Sequence, residues 1–191
     1  MQRVEVDVEP APLALLVTGV PGSGKSTVAA RLAARLPCAA HVSADAVGAF
    51  LVSGRVDPPL PDEPSGGAEG EATRQLFLRA RNASLLCDSF FRAGVTPILD
   101  DVVVRQVQLD YYLESIVSRP LELVVLAPSI ESILARDRGR EKRGIGERWT
   151  WLDERLRTEL AGVGTWIDST EQAPEETVEA ILAATGLRAV T

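Results

Sequence analysis

Gly19-Val20-Pro21-Gly22-Ser23-Gly24-Lys25-Ser26 satisfies the pattern GxxxxGK[ST] at every fixed position, and Thr27 continues it. The residues on either side decide how it is read. Leu13-Ala14-Leu15-Leu16-Val17 is a continuous apolar run ending in Thr18-Gly19, the pattern of a strand buried on both faces. After the glycines, Val28, Ala29, Leu32, Ala33 and Leu36 recur at helical spacing from about Lys25 until Pro37 stops the helix. A buried strand, a glycine-rich turn and an amphipathic helix make a phosphate cradle. Glycines let successive backbone N–H groups turn inward around phosphate oxygens. The helix start adds free N–H groups and the positive end of its dipole. Lys25 reaches the β- and γ-phosphates as a mobile charge, and the Ser26 hydroxyl suits Mg²⁺, which takes few, oxygen-based protein ligands. Gly19, Val20, Pro21, Gly22, Ser23, Gly24, Lys25, Ser26 and Thr27 are therefore the candidate ATP-binding residues. The competing dinucleotide fingerprint GxGxxG is excluded, because Gly22-Ser23-Gly24-Lys25-Ser26-Thr27 lacks its third glycine.

The rest of the chain repeats the alternation of strand and helix. Ala39–Ser43 reads as a second strand, followed by a short helix over Ala44–Val52. A helical period runs from about Glu71 to Ala93, with Leu76, Ala80, Ala83, Leu86 and Phe90 on one side. Val95–Leu99 reads as a strand in which Pro97 conflicts with a central position, since proline has no ladder donor. A helix follows over Arg105–Val117, then a strand at Leu121–Leu126 and a helix from Ser129 to about Arg138. Trp149, Leu152, Leu156 and Leu160 share one helical stripe. Trp166–Asp168 is a short last strand and Pro174–Thr185 a final helix with proline in its first turn. Such alternation predicts an α/β fold with a parallel sheet covered on both faces, a three-layer sandwich.

With 191 residues, one domain is expected. Apolar residues make up 46% and charged residues 25%, ordinary for a soluble globular chain and outside the disordered and fibrous classes. Lys+Arg number 20 and Asp+Glu 27, a net charge of −7, which argues against a duplex nucleic-acid binder held mainly by phosphate contacts. The two cysteines, Cys38 and Cys87, and the single histidine, His41, rule out a disulfide scaffold and a Cys/His zinc site. The N-terminus alternates acidic and apolar residues, without the cationic start and apolar stretch of a signal peptide. No apolar run near it approaches the roughly 20 residues of a membrane helix. These features predict a cytoplasmic protein with a flexible arm over residues 1–12, no membrane association, and one domain over 13–191.

Two segments depart from the alternation. Residues 53–72 hold four prolines, four glycines and five acidic side chains, with Val56 and Leu60 as the bulky apolar residues. Such a stretch cannot bury enough surface to fold alone and reads as a long loop, a length usually tied to function or disorder. Residues 136–148 carry six positive and three negative side chains, so the rest of the chain has a net charge of −10.

Three features narrow the phosphate chemistry. Asp45, in Ser43-Ala44-Asp45, stands at the carboxyl end of the second strand, where parallel sheets bind ligands. It either takes the proton of an attacking hydroxyl or caps the short helix. Asp100 and Asp101 end the third strand, where a carboxylate can hold Mg²⁺; one of the pair can instead contact substrate. Arg136, Arg140 and Arg143 can spread the charge of a transferring phosphoryl group or stack on a base, or can form a solvated face paired with Asp137 and Glu141.

At these residues the chain resembles the small P-loop kinases related to nucleoside monophosphate kinases, most closely chloramphenicol phosphotransferase. The resemblance spans about Leu13 to Leu182 and rests on Gly19–Thr27, Ser43–Asp45, Arg92–Val102 (RAGVTPILDDV) and the arginine spacing at 136, 140 and 143. It implies the P-loop kinase fold, five parallel strands in the order 2-3-1-4-5 with a small lid, here residues 136–148. It also implies ATP with Mg²⁺ held by Ser26 and Asp100, and phosphate transfer to a small-molecule hydroxyl. In this picture Asp45 is the general base, and Lys25, Arg136, Arg140 and Arg143 are the other catalytic residues. The 53–72 loop departs from the antibiotic kinase and would form the acceptor side, so the identity of the acceptor does not carry over. Asp101, Arg74, Arg81 and Trp151 are the candidate acceptor contacts. A nucleoside, nucleotide or polynucleotide 5′-hydroxyl kinase is one rival reading. A nucleotide-binding regulatory module without an acceptor is another.

Overall fold

The computed structural model describes residues 12–57, 69–138 and 151–189, with side chains from 70 to 136 in the middle span. Strand β1 (Ala14–Thr18) is buried at all five positions. It pairs in parallel with β3 (Thr96–Asp101) on one side and β4 (Leu121–Leu126) on the other. Strand β2 (Ala39–Ser43) borders β3, and β5 (Thr165–Ile167) borders β4, giving a five-stranded sheet in the order β2-β3-β1-β4-β5. The expected topology is therefore observed.

Alternation along the strands builds two cores. Leu16, Val42, Leu99, Leu123 and Val125 face one side. There they meet α2 (Ala44–Gly48), α3 (Glu69–Arg92), α4 (Gln106–Ser115), α5 (Ile130–Arg138) and α6 (Trp151–Glu159). Leu15, Val17, Ile98, Val124 and Leu126 face the other side, against α1 (Lys25–Arg35) and α7 (Pro174–Thr185). Val28, Ala29 and Leu32 give α1 its buried stripe, as their spacing predicts. Helix α7 begins with Pro174, and Glu176 accepts a hydrogen bond from the Ala173 N–H at 2.7 Å.

Several boundaries differ from the sequence reading. Strand β3 starts one residue later and ends two residues later, so that it contains both Asp100 and Asp101, because parallel pairing with β1 continues to Thr18 opposite Asp101. Pro97 is tolerated because the neighbouring Thr96 N–H donates to Cys38 on the β2 side. The Pro97 nitrogen therefore faces the β1 side, where pairing starts only at Ile98. Helix α2 stops at Gly48 and ends in tight turns from Phe50 to Val47 and from Leu51 to Gly48.

The stripe expected on α3 holds in part, since Ala80 and Ala83 are buried. Leu86 and Phe90 are exposed, and the inward face is made of Ala72, Ala80, Ala83, Ser84, Cys87 and Asp88. Small residues let this helix lie close to its neighbours. Asp88 is turned inward because its carboxylate accepts backbone N–H groups of Val117 and Ser118 at 3.2 and 2.9 Å. Leu152, Leu156 and Leu160 are buried as expected. Trp149, the arm over residues 1–11, residues 58–68 of the acceptor-side loop and residues 139–148 of the expected lid lie outside the described residues. Among the described residues, no helix is long and apolar enough to cross a membrane.

Two stability predictions follow from this packing. Leu32 is fully buried between α1 and the sheet. Leu32→Ala is expected to lower unfolding free energy by about 2–5 kcal/mol in urea denaturation, with the slope unchanged. For Asp88, burial pushes the carboxyl pKa up, but the Ser118 side chain and the two backbone donors outweigh it and hold it below the usual range. Its contribution to stability is then complete above about pH 4 and is lost as the pH falls through the folded-state value. Asp88→Asn should lower stability at pH 7 and flatten the acid limb of the stability profile; an unchanged acid limb would contradict this assignment.

Candidate functional site

The carboxyl ends of β1, β2 and β3 lie side by side, and each supplies part of the site. Thr18 stands opposite Asp101, and Ser43 opposite Asp100. The loop leaving β1 is shaped by two glycines. A Cβ at Gly19 would lie 2.6 Å from the Leu126 carbonyl oxygen and 2.5 Å from Ser23 Oγ, so only glycine passes this close. Gly24 starts α1 with φ of 94°, a left-handed conformation that turns the following amides toward the loop. Thr18 locks the strand end from below: its hydroxyl donates to the Val103 carbonyl at 3.0 Å and accepts the Val103 N–H at 2.9 Å.

Inside this cradle Lys25 is buried to 7% exposure. Burial pulls its ammonium pKa below the ordinary value, against the opposing pull of Asp100, Asp45 and Asp101. Ser23 Oγ is buried without a hydrogen-bond partner. A desolvated ammonium, an unpaired buried hydroxyl and a ring of backbone amides are what a bound polyphosphate would satisfy.

Ser26 Oγ donates to Asp100 Oδ1 at 2.6 Å, and His41 Nε2 lies 2.5 Å from Asp100 Oδ2. Burial pushes the Asp100 carboxyl up, but His41, Ser26 and Lys25 together hold it below its usual range, so it is ionised at neutral pH. A hydroxyl and a carboxylate set side by side are hard oxygen donors of the kind Mg²⁺ accepts. His41 fixes the orientation of the carboxylate from the other side. Its part was not legible in sequence, because 59 residues separate it from Asp100 and only the β2–β3 register brings them together.

The two readings of Asp45 separate in the structure. The cap of α2 is Ser43, whose Oγ accepts the Ala46 N–H at 3.4 Å. The Asp45 carboxylate instead lines a cleft between α2 and α3 and accepts from Arg79 Nη1 at 3.1 Å. The sequence pattern does not single out Arg79. Its signal was a charged residue on the inward stripe of α3, between Ala72 and Ala83. It also donates to Asp101 Oδ1 at 2.5 Å, and Asp101 accepts from Tyr112 Oη at 2.7 Å and from the Val102 N–H at 2.7 Å. Burial, with Asp101 beside it, pushes the Tyr112 hydroxyl well above its ordinary pKa, which keeps it a donor. Asp101 thus holds Arg79 from behind rather than reaching into the cleft as an acceptor contact.

The remaining candidates are placed as follows. Arg74 is exposed and paired with Glu71 through two hydrogen bonds of 2.7 Å, and Arg81 is exposed; neither lines the cleft. Trp151 begins α6 and is exposed, with Arg155 5.7 Å over its ring. The Arg136 guanidinium donates to the carbonyls of Ser169, Thr170 and Gln172 at 2.5, 3.3 and 3.4 Å. There it borders a second cleft with Ser23, Gly24 and Thr27, beside the cradle rather than over its centre. Arg140 and Arg143 lie outside the described residues.

Comparison with known proteins agrees with this architecture. A family model described as an AAA domain matches residues 15–185. A search of curated proteins finds no match. Among solved structures, a sugar kinase from Janibacter sp. HTCC2649 superposes with a TM-score of 0.64 at 23% identity, over 93% of this chain and 96% of that one. The tunicamycin resistance protein of Deinococcus radiodurans gives 0.65 at 19% identity, over 95% and 99%. A gluconokinase from Sinorhizobium meliloti 1021 gives 0.60 at 18% identity, over 93% and 94%. At these identities the likeness is one of fold.

The two carboxylates on Arg79 should differ sharply in weight. Asp101 is 5% exposed and Asp45 71%. Asp101→Asn, which breaks a buried pair, is expected to cost about 3–5 kcal/mol of unfolding free energy. Asp45→Asn should cost at most about 1 kcal/mol. Equal losses in parallel denaturation curves would contradict this division.

Proposed function

The chain belongs to the AAA domain family of P-loop proteins, and from that membership and the geometry of the site we propose that it is an ATP-dependent O-phosphotransferase acting on a hydroxyl of a small molecule. The observation that carries the reading is the position of Asp45. Asp45 follows directly on the end of β2, where Ser43 pairs with Asp100 of the cradle, and its carboxylate lines the cleft between α2 and α3. A γ-phosphate and an acceptor hydroxyl would therefore meet at one carboxylate.

In this mechanism the loop amides, Ser23 and Lys25 bind and orient the β- and γ-phosphates. Ser26 and Asp100 would hold Mg²⁺, which supplies charge neutralisation between those phosphates. Arg79 fixes one oxygen of Asp45, and the other accepts the acceptor's proton. The hydroxyl oxygen forms a bond to the γ-phosphorus as the bond to the β–γ bridging oxygen breaks, and ADP leaves with the electron pair. Arg136 borders Ser23, Gly24 and Thr27 at the side of the cradle, and with Arg140 and Arg143 it is assigned to spreading the charge of the transferring phosphoryl group. An antibiotic acceptor is the finer reading. The resemblance of Gly19–Thr27 and Arg92–Val102 to chloramphenicol phosphotransferases supports it, as does the presence of a tunicamycin resistance protein among the fold neighbours.

Asp45→Asn should lower the phosphotransfer rate by about 10²–10⁴-fold while ATP affinity stays near normal, measured by coupled ADP release and by titration calorimetry. An unchanged rate would remove Asp45 from the mechanism. Lys25→Ala should weaken ATP binding and turnover together. Acceptor-independent hydrolysis that no hydroxyl compound accelerates would favour a regulatory nucleotide-binding module instead.

A further inference from the structure

The cleft beside Asp45 has a volume of about 230 Å³ and is bounded by α2, residues 50–57 and α3. Its walls carry Val47, Phe50, Leu51, Val56, Leu76 and Leu78. Phe50 is 75% exposed, and an aromatic ring left in water at the rim of a cleft is a surface for an apolar partner. Both guanidinium groups of the lining, those of Arg55 and Arg79, are paired with carboxylates of the chain, while Arg79 Nε is buried without a partner. Arg79 is held by Asp45 and Asp101. Arg55 is closed on Asp57 through Nε at 3.0 Å and Nη2 at 2.9 Å. Gln75 donates to the Gly54 carbonyl and accepts the Val56 N–H, both at 2.8 Å, which ties this loop to α3. Each guanidinium that faces the cleft is therefore bonded to a carboxylate. A carboxylate or phosphate ester entering it would meet Asp45 and Asp57 and would have to displace one of them to gain a cation.

We propose that this cleft selects an uncharged molecule that joins a hydroxyl, presented to Asp45, to an apolar aryl or alkyl body lying against Phe50, Leu51 and Val56, and that it rejects sugar acids and phosphate esters. The assignment rests on the phosphotransfer reading for the role of the hydroxyl, but its selectivity is a property of the lining alone. Asp57 is the residue that keeps Arg55 from serving anions.

The test is calorimetric binding to the full chain loaded with a non-hydrolysable ATP analogue and Mg²⁺. The probes are matched pairs such as phenyl and octyl β-glucosides, aryl propanediols and their carboxylate counterparts (phenyl and octyl glucuronides, aryl hydroxy acids), with glucose and gluconate as compounds lacking an apolar body. Binding confined to the uncharged amphipathic members is expected, with a preference of at least tenfold over each carboxylate partner. Phe50→Ala should weaken these compounds about tenfold. Asp57→Asn, by freeing Arg55, should raise the affinity of the carboxylate members several-fold. Equal or tighter binding of the anions, or no binding by the uncharged class, overturns the proposal. Incubating bound members with ATP and following phosphorus NMR separates the two claims. A bound compound that stays unphosphorylated defeats phosphotransfer and leaves the cleft assignment standing. A phosphorylated gluconate or glucuronide defeats the cleft assignment and leaves phosphotransfer standing.

Discussion

Ser26 Oγ and Asp100 Oδ1 lie 2.6 Å apart although 74 residues separate them. This contact depends on one constraint, the parallel register that sets β1 against β3. Because Val17 pairs with Asp100 and Thr18 with Asp101, the glycine loop leaving β1 emerges directly beside the carboxylates that end β3. A one-residue slip would exchange the faces of β3 and send Leu99 to where Asp100 stands. The register is in turn fixed by burial. Leu15, Val17 and Ile98 face one core and Leu16 and Leu99 the other, so a slip would disorder both.

From that edge the site is assembled in layers. The cradle holds a buried ammonium and an unpaired buried hydroxyl, arrangements that are costly without an anion and favourable with one. Behind it, both Asp101 oxygens are taken, one by Arg79 Nη2 and the other by the Tyr112 hydroxyl, in a largely buried network. That network reaches Asp45 through Arg79 Nη1, which holds one oxygen of its carboxylate. Rigidity thus increases from the exposed carboxylate inward, an order suited to a group that must meet a substrate in a fixed place.

Much of the fold was legible because its signals are local. A mostly apolar run ended by Thr18-Gly19 marked β1, another ended by Ala127-Pro128 marked β4, and helical spacing marked α1 and α7 at nearly their observed limits. The failures share a cause. On α3, apolar character pointed to Leu86 and Phe90, but alanines, a cysteine and Asp88 face inward, since close approach and backbone hydrogen bonds outweigh side-chain apolarity there. At β3, Pro97 looked disruptive because its neighbours across the sheet were unknown.

The sequence alone determined the phosphate cradle, since its glycines, lysine and serine act through backbone geometry within eight consecutive residues. It also determined that carboxylates would gather at one sheet edge. Tertiary structure decided which carboxylate does what. Asp100 faces Ser26 and His41, Asp101 turns back to Arg79 and Tyr112, and Asp45 is released from capping because Ser43 performs it. Apart from the local Ser43 cap, these assignments join residues between 11 and 74 positions apart, brought together by strand register and helix packing, and no local pattern encodes such distances.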